Sequence, residues 1–244
     1  MRNKIDLSPN YSKKTRKHKD IKFVIIHYTG MQSEIESIER LKDPKKKVSS
    51  HYLINRKGQI TKMVNELKIA WHAGKSRWKN FTNLNRYSIG IELVNKGHEF
   101  GYQKFSNIQI KSLIRLCKSL KKKYKIKDDH FLGHSDIAPL RKVDPGEYFP
   151  WKKLSKYNLG VWYKEKLQNI KTQKNKKRYN FFKNIYKFGY RYFSLKKKTI
   201  KKDKKIIKAF QLRFLPERVT GNLDQKTLKI SYYLATSYKI LKKP

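Results

Sequence analysis

The chain is short of cysteine. Among 244 residues only Cys117 occurs, so no intramolecular disulfide can form and a disulfide-stapled scaffold is excluded. It has no apolar stretch approaching the roughly 20 residues that a membrane-spanning helix needs. Its first twenty residues, MRNKIDLSPNYSKKTRKHKD, hold neither the apolar run of a signal peptide nor a lipid-attachment cysteine. Acidic residues are scarce as well: 18 Asp and Glu stand against 61 Lys and Arg, for a formal charge of +43. Such a surface draws any polyanion. The lysines, however, are scattered through every segment, and scattered charge attracts without reading bases. No specific nucleic-acid partner is therefore expected.

What is present suffices for a buried core. Hydrophobic residues make up 38% of the chain, and the length suits one domain of ordinary size plus a small second one. Residues 1–20 are polar and basic, and read as a flexible basic arm. Ile21–Tyr28, IKFVIIHY, is nearly continuous in apolar and β-branched residues, as a central strand should be. Glu34–Leu41 carries apolar positions at helical spacing. His51–Asn55 and Ile60–Val64 flank a turn containing Lys57-Gly58 and form a hairpin. Trp71–Asn85 reads as irregular. Ser88–Val94 is a second buried strand. Asn107–Lys123 is an amphipathic helix, with Ile108, Leu113, Ile114, Leu116, Cys117 and Leu120 on its inner side. Phe131–Gly133 is a short strand leading into a long loop from His134 to Trp151.

This alternation predicts an α/β domain, a mixed central sheet flanked by helices, over residues 21–160. Residues 161–178, rich in lysine, asparagine and glutamine, read as a linker. Three helical patterns, Tyr179–Gly189, Lys202–Phe214 and Asp224–Lys239, predict a small all-α domain over 179–244.

Three side chains suggest metal chemistry. His27 lies at the end of the first strand, His134 follows the short strand Phe131–Gly133, and Asp144 lies in a loop between Pro139 and Pro145. Two imidazoles and a carboxylate are usual zinc ligands, and three protein ligands leave a fourth position for water. Each taken alone reads more readily as a hydrogen-bonded structural residue. Glu92 lies inside the apolar strand SIGIELV. A buried carboxylate there would have a raised pKa, suited to a general acid or base; an edge strand would instead turn it to solvent. Lys142 stands two residues before Asp144, on the same side of an extended chain. It reads either as an oxyanion partner or as one more surface lysine.

FVIIHYT, SHYLI, WHAG, SIGIEL, GHSDIAP and RKVDPG follow one another between residues 23 and 146. This resembles the type 2 N-acetylmuramoyl-L-alanine amidases, the zinc amidase family that includes peptidoglycan-recognition proteins. The resemblance spans roughly residues 21–155. It implies zinc held by His27, His134 and Asp144, with Glu92 as the acid/base glutamate and Lys142 near the oxyanion. The reaction implied is hydrolysis of the amide between N-acetylmuramic acid and L-alanine, in peptidoglycan or its muropeptide fragments. Tyr28, Thr29, His51 and His72 fall within the motifs and are expected to line the substrate groove, with His51 open to a core reading. Leu140 stands where a small residue is frequent. His18, His98 and His130 have no motif around them, and Cys117 reads as core.

The C-terminal residues Ile206–Leu215, Gly221–Asp224 and Thr227-Leu228 resemble the small helical peptidoglycan-binding module. The pairing resembles AmiD-type amidases. A helical domain that merely packs on the catalytic one is the other reading. Members of that group are typically exported and lipid-anchored; with neither signal here, a cytoplasmic location is expected, the periplasm or cell envelope being the alternative. A non-catalytic peptidoglycan sensor is the competing function. Such relatives lose a metal ligand, and all three are present here. The sequence sets no oligomeric state.

Overall fold

In the computed structural model, which describes residues 4–164, 167 and 176–240, the elements follow in this order. Two short strands, Lys4–Ile5 (β1) and Tyr11–Thr15 (β2), precede the buried strand Phe23–Tyr28 (β3) and helix Glu34–Lys42 (α1). The hairpin is Tyr52–Ile54 (β4) with Ile60–Lys62 (β5). Lys68–Ala70 (β6), Arg77–Trp78 (β7) and Phe81–Thr82 (β8) lead to Ser88–Leu93 (β9). Then come helix Asn107–Tyr124 (α2), strand Phe131–Gly133 (β10), the single turn His134–Ile137 (α3) and helix Trp151–Ser155 (α4). Lys177–Phe188 (α5), Ile200–Phe214 (α6) and Gln225–Ile240 (α7) form the C-terminal helices. No helix among the described residues is long and apolar enough to cross a membrane.

Six strands form the central sheet in the order β1-β5-β4-β9-β3-β10. β3 lies between β9 and β10 and runs parallel to both. It is covered on both faces, which is why its sequence is apolar almost throughout. Val24 and Ile26 point to the face packed by α2, with Ile89, Ile91, Leu113, Leu116 and Cys117. Phe23 and Ile25 point the other way, toward Trp78, Leu132 and the aromatic residues Phe181, Tyr190 and Phe210. The C-terminal helices thus share one apolar core with the sheet.

Local signals fix the helix ends. Ser33 Oγ accepts from the Glu36 N–H at 3.1 Å at the start of α1. Ser106 Oγ accepts from the Gln109 N–H at 3.2 Å at the start of α2. Each satisfies a backbone donor that the helix itself leaves free. α2 stops at Lys125, in the left-handed region at φ 51°. Gly58, at φ +80°, closes the β4–β5 turn, its N–H donating to the Asn55 carbonyl at 2.9 Å.

Several expectations need correction. Residues 4–20 are not a loose arm. β1 pairs with β5 and β2 with β6, and Arg16 is buried. Its guanidinium donates to the carbonyls of Glu66 at 3.0 and 2.7 Å, Asn85 at 3.0 Å and Ser88 at 2.7 Å. Those oxygens offset the cost of burying the charge. Ile108 is not on the inner side of α2; it is 46% exposed and sits beside the Gly58 turn. The segment read as irregular contains β7 and β8, and the loop after His134 begins with α3. Most of the expected linker, residues 165–166 and 168–175, lies outside the described residues.

Candidate active site

Strand register builds the site. His27 and Glu92 are direct partners across the parallel β3–β9 ladder. In a parallel pair, partners in register project to the same face of the sheet. Gly133, the last residue of β10, pairs with Ile26, so His134 emerges beside His27. The site therefore stands at the carboxyl ends of adjacent parallel strands, where open α/β sheets bind ligands. The loop after α3 returns to it, and the Ser135 N–H donates to the Asp144 carbonyl at 2.9 Å. The Asp144–Pro145 peptide is cis.

His27, His134 and Asp144 come together there. His27 Nδ1 lies 3.0 Å from His134 Nδ1, and each lies 3.0 Å from Asp144 Oδ2. Ligands held about 2.0–2.1 Å from a tetrahedral ion are about 3.3 Å apart, so this donor set fits a single zinc ion closely. All three side chains are buried. Burial raises the Asp144 carboxyl, yet the flanking His134 and His27 outweigh it and hold the group far below the usual carboxylate range. Burial, reinforced by His134, pushes His27 down to about 4. A neutral imidazole and an ionised carboxylate are the forms that ligate metal.

The far nitrogens of both imidazoles are also engaged. His134 Nε2 lies 3.1 Å from the Ala73 carbonyl, and His27 Nε2 lies 3.0 Å from His72 Nδ1. A ligating histidine ordinarily donates its other N–H to such a partner, which fixes tautomer and ring orientation. His72 Nε2 in turn lies 3.2 Å from Ser88 Oγ, whose hydroxyl donates to the Leu84 carbonyl at 2.6 Å.

Glu92 is half-buried at the edge of the same cleft, but its Oε2 is shut off from solvent without a partner. Burial, then the charge of Asp144, raises its carboxyl to about 8; Lys142 opposes the shift. Lys142 is exposed at the rim. The cleft, of about 610 Å³, is lined by His27, His134, Asp144, Glu92 and Lys142, and also by Tyr28, Thr29 and His72.

His51 is the exception among the groove candidates. It is wholly buried, its Nδ1 accepting from the Gly90 N–H at 3.0 Å and its Nε2 lying 2.8 Å from Arg16 Nη2. It lies level with Gly90, one step deeper in the sheet than Glu92, with the His72 ring at 5.6 Å, and so does not line the cleft. His98, read as a surface residue, contacts the Tyr28 hydroxyl at 2.8 Å and Glu147 at 3.0 Å. Two participants escaped the sequence reading. The Ala73 carbonyl carries no side-chain signal, and Arg141, which donates to Ala73 and Lys75 carbonyls, was one arginine among many cations. The WHAG motif held the first in plain sight.

Two histidines at parallel strand ends and a loop aspartate, beside a carboxyl whose pKa burial raises, make a site suited to a single-metal hydrolase. Comparison with known proteins narrows the class to a family. The family model for N-acetylmuramoyl-L-alanine amidase matches residues 17–147, more than half of the chain. The chain belongs to that family. It is 35% identical to N-acetylmuramoyl-L-alanine amidase AmiD of Escherichia coli K12, over 89% of this chain and 83% of the relative. The solved complex of Escherichia coli AmiD with anhydro-N-acetylmuramic acid-L-Ala-D-gamma-Glu-L-Lys superposes with a TM-score of 0.80 at 32% identity, covering 94% of this chain and 93% of that one. AmpDh3 from Pseudomonas aeruginosa, in complex with anhydromuramic pentapeptide, gives a TM-score of 0.80 at 30% identity, covering 94% and 97%. At these coverages both superpositions take in the C-terminal helices.

Proposed function

We propose that this cleft hydrolyses the amide between the lactyl group of N-acetylmuramic acid and the L-alanine of a muropeptide stem. The observation that carries the reading is the convergence of His27, His134 and Asp144 with Glu92 in one cleft. Family membership supports it, as does the anhydromuramyl peptide named in the solved complex of Escherichia coli AmiD. Wall fragments, free or still attached to peptidoglycan, are the substrate class.

His27, His134 and Asp144 would hold zinc, which supplies Lewis-acid polarisation of a carbonyl and a nucleophilic oxygen at neutral pH. The chain's own residues do the rest. Glu92 Oε2, with no hydrogen-bond partner of its own, takes a proton from the attacking water. The same carboxyl then passes that proton to the departing alanine nitrogen, which must leave as an amine. Lys142 sets a positive charge at the rim, where the oxygen of the tetrahedral intermediate turns anionic. Arg40 and Arg141 also line the cleft, and their charge suits the carboxylates of the stem peptide. His72 and the Ala73 carbonyl keep the two imidazoles in their ligating tautomers.

Mass analysis of products from defined muropeptides, with and without chelator, tests the proposal. Release of free stem peptide, abolished by chelation and restored by zinc, is expected. Intact substrate with zinc supplied would leave a binding protein in place of an enzyme.

A further inference from the structure

The geometry points to the C-terminal helices as part of the metal site: Arg213 and Tyr190 hold Asp136, and through Asp136 they set the position of His134. This inference rests on His134 serving as a metal ligand.

Asp136 is 1% exposed and sits two residues after His134 in α3. Its Oδ2 accepts from the Gly133 N–H at 2.8 Å, the backbone donor immediately before His134. That bond caps a helix of a single turn, too short to persist on its own hydrogen bonding. The carboxylate therefore decides where the helix begins, and His134 is its first residue. Both oxygens of Asp136 are also gripped from the C-terminal part. Arg213 Nη1, on α6, donates to Oδ2, and the Tyr190 hydroxyl, just past α5, donates to Oδ1. A buried carboxylate is tolerable only with such partners.

Arg213 spans more than one point. Its Nη2 donates to the Phe131 carbonyl at 3.1 Å, at the start of β10. Its guanidinium lies 4.0 Å over the Trp151 ring. That ring flanks Gly133, where an added Cβ would stand 3.4 Å from Trp151 and 2.7 Å from Pro145 Cδ. One side chain thus fixes both ends of β10 and the turn that presents His134. Ala73 orients the imidazole; the Asp136 clamp places its backbone. The two positioning residues are Arg213 and Tyr190, and neither touches the cleft.

Zinc affinity of the full chain, measured by competition with a chromophoric chelator, separates this role from simple bracing. The comparison uses Arg213→Met, Arg213→Lys and Tyr190→Phe, with the melting temperature of each metal-free protein recorded alongside. Arg213→Met is expected to weaken zinc binding by up to about 10-fold, the low end of what losing a direct outer partner of a metal ligand costs, because it acts one contact further out. Tyr190→Phe keeps the ring and loses one donor, so a smaller loss is expected. Arg213→Lys keeps the charge and is expected to recover part of the affinity, with excess zinc restoring activity in each variant. Should Arg213→Met fail to fold, the two milder variants decide. Zinc affinity unchanged in folded Tyr190→Phe and Arg213→Lys, with only the melting temperature lowered, would overturn the inference alone. A parent chain that binds no zinc would overturn the metal reading with it.

Discussion

Glu92 faces two opposed demands, and both can be measured. Its carboxyl must be near enough to neutral to move a proton at physiological pH, and its burial makes it so, at about 8 against an ordinary 4.5. Glu92→Gln keeps the shape and removes the proton carrier. A fall of about 10²- to 10⁴-fold in kcat is expected, with zinc retained; a variant of near-parental turnover would assign the proton transfer elsewhere. The same shift has a consequence for stability. Between pH 4.5 and 8 the metal-free folded state binds a proton at Glu92 that the unfolded chain has released. Folding stability at this position therefore declines as pH rises through that window. Glu92→Gln does not titrate, so its advantage in melting temperature over the metal-free parent is expected to widen from pH 4.5 to 8 and then level. A difference that stays constant with pH would refute the assignment.

At the scale of elements, the site is a product of register. β3 and β9 place His27 beside Glu92, and Gly90 two residues earlier leaves room for His72. A Cβ on Gly90 would overlap the His72 ring. Gly90→Ala is therefore expected to displace His72, loosen its hold on His27 and cost about 1–3 kcal/mol of stability by overpacking. Chemical denaturation with and without zinc checks this, and an undisturbed midpoint would show that the ring can yield freely. The same ladder explains what was legible in advance. β3, β9, α2 and the β4–β5 hairpin could be read because burial on one or two faces imposes a pattern that survives in the sequence. His27, His134 and Asp144 could be named from their motifs, although their meeting at 3.0 Å depends on pairings between strands that no local pattern encodes. The strands β1, β2, β6, β7 and β8 were not legible. Each has five residues or fewer, and their register is set by partners far along the chain. Arg16 misled for a related reason: in a chain so rich in cations, one buried by carbonyl oxygens looks like the others until the fold supplies those oxygens.

Over the whole molecule, the sheet and the C-terminal helices are packed as one body. Trp78, from β7, is fully buried, with the rings of Phe188 and Tyr190 at 5.7 and 4.9 Å. Trp78→Ala is expected to cost about 3–5 kcal/mol, as large aromatic truncations in cores do. The loss should appear as one cooperative transition moving to lower temperature; two separated transitions in calorimetry would contradict a shared core. The charge of +43 acts at the same scale. Binding to unrelated DNA is expected at low salt and should weaken about tenfold or more between about 50 and 200 mM salt, without sequence preference. Sequence-selective binding that resisted salt would call for a recognition surface that no motif supplies.

The contact of Gly189 with Trp78 carries a lesson for how such chains can be rearranged. A methyl group at residue 189 would run into the indole, so the helical part fits this partner as a key cut for one lock. Grafting it onto another amidase, or importing a foreign module in its place, would require carrying the matching indole, carboxylate and glycine across together. Either part is therefore expected to keep its fit only when it is moved together with the other.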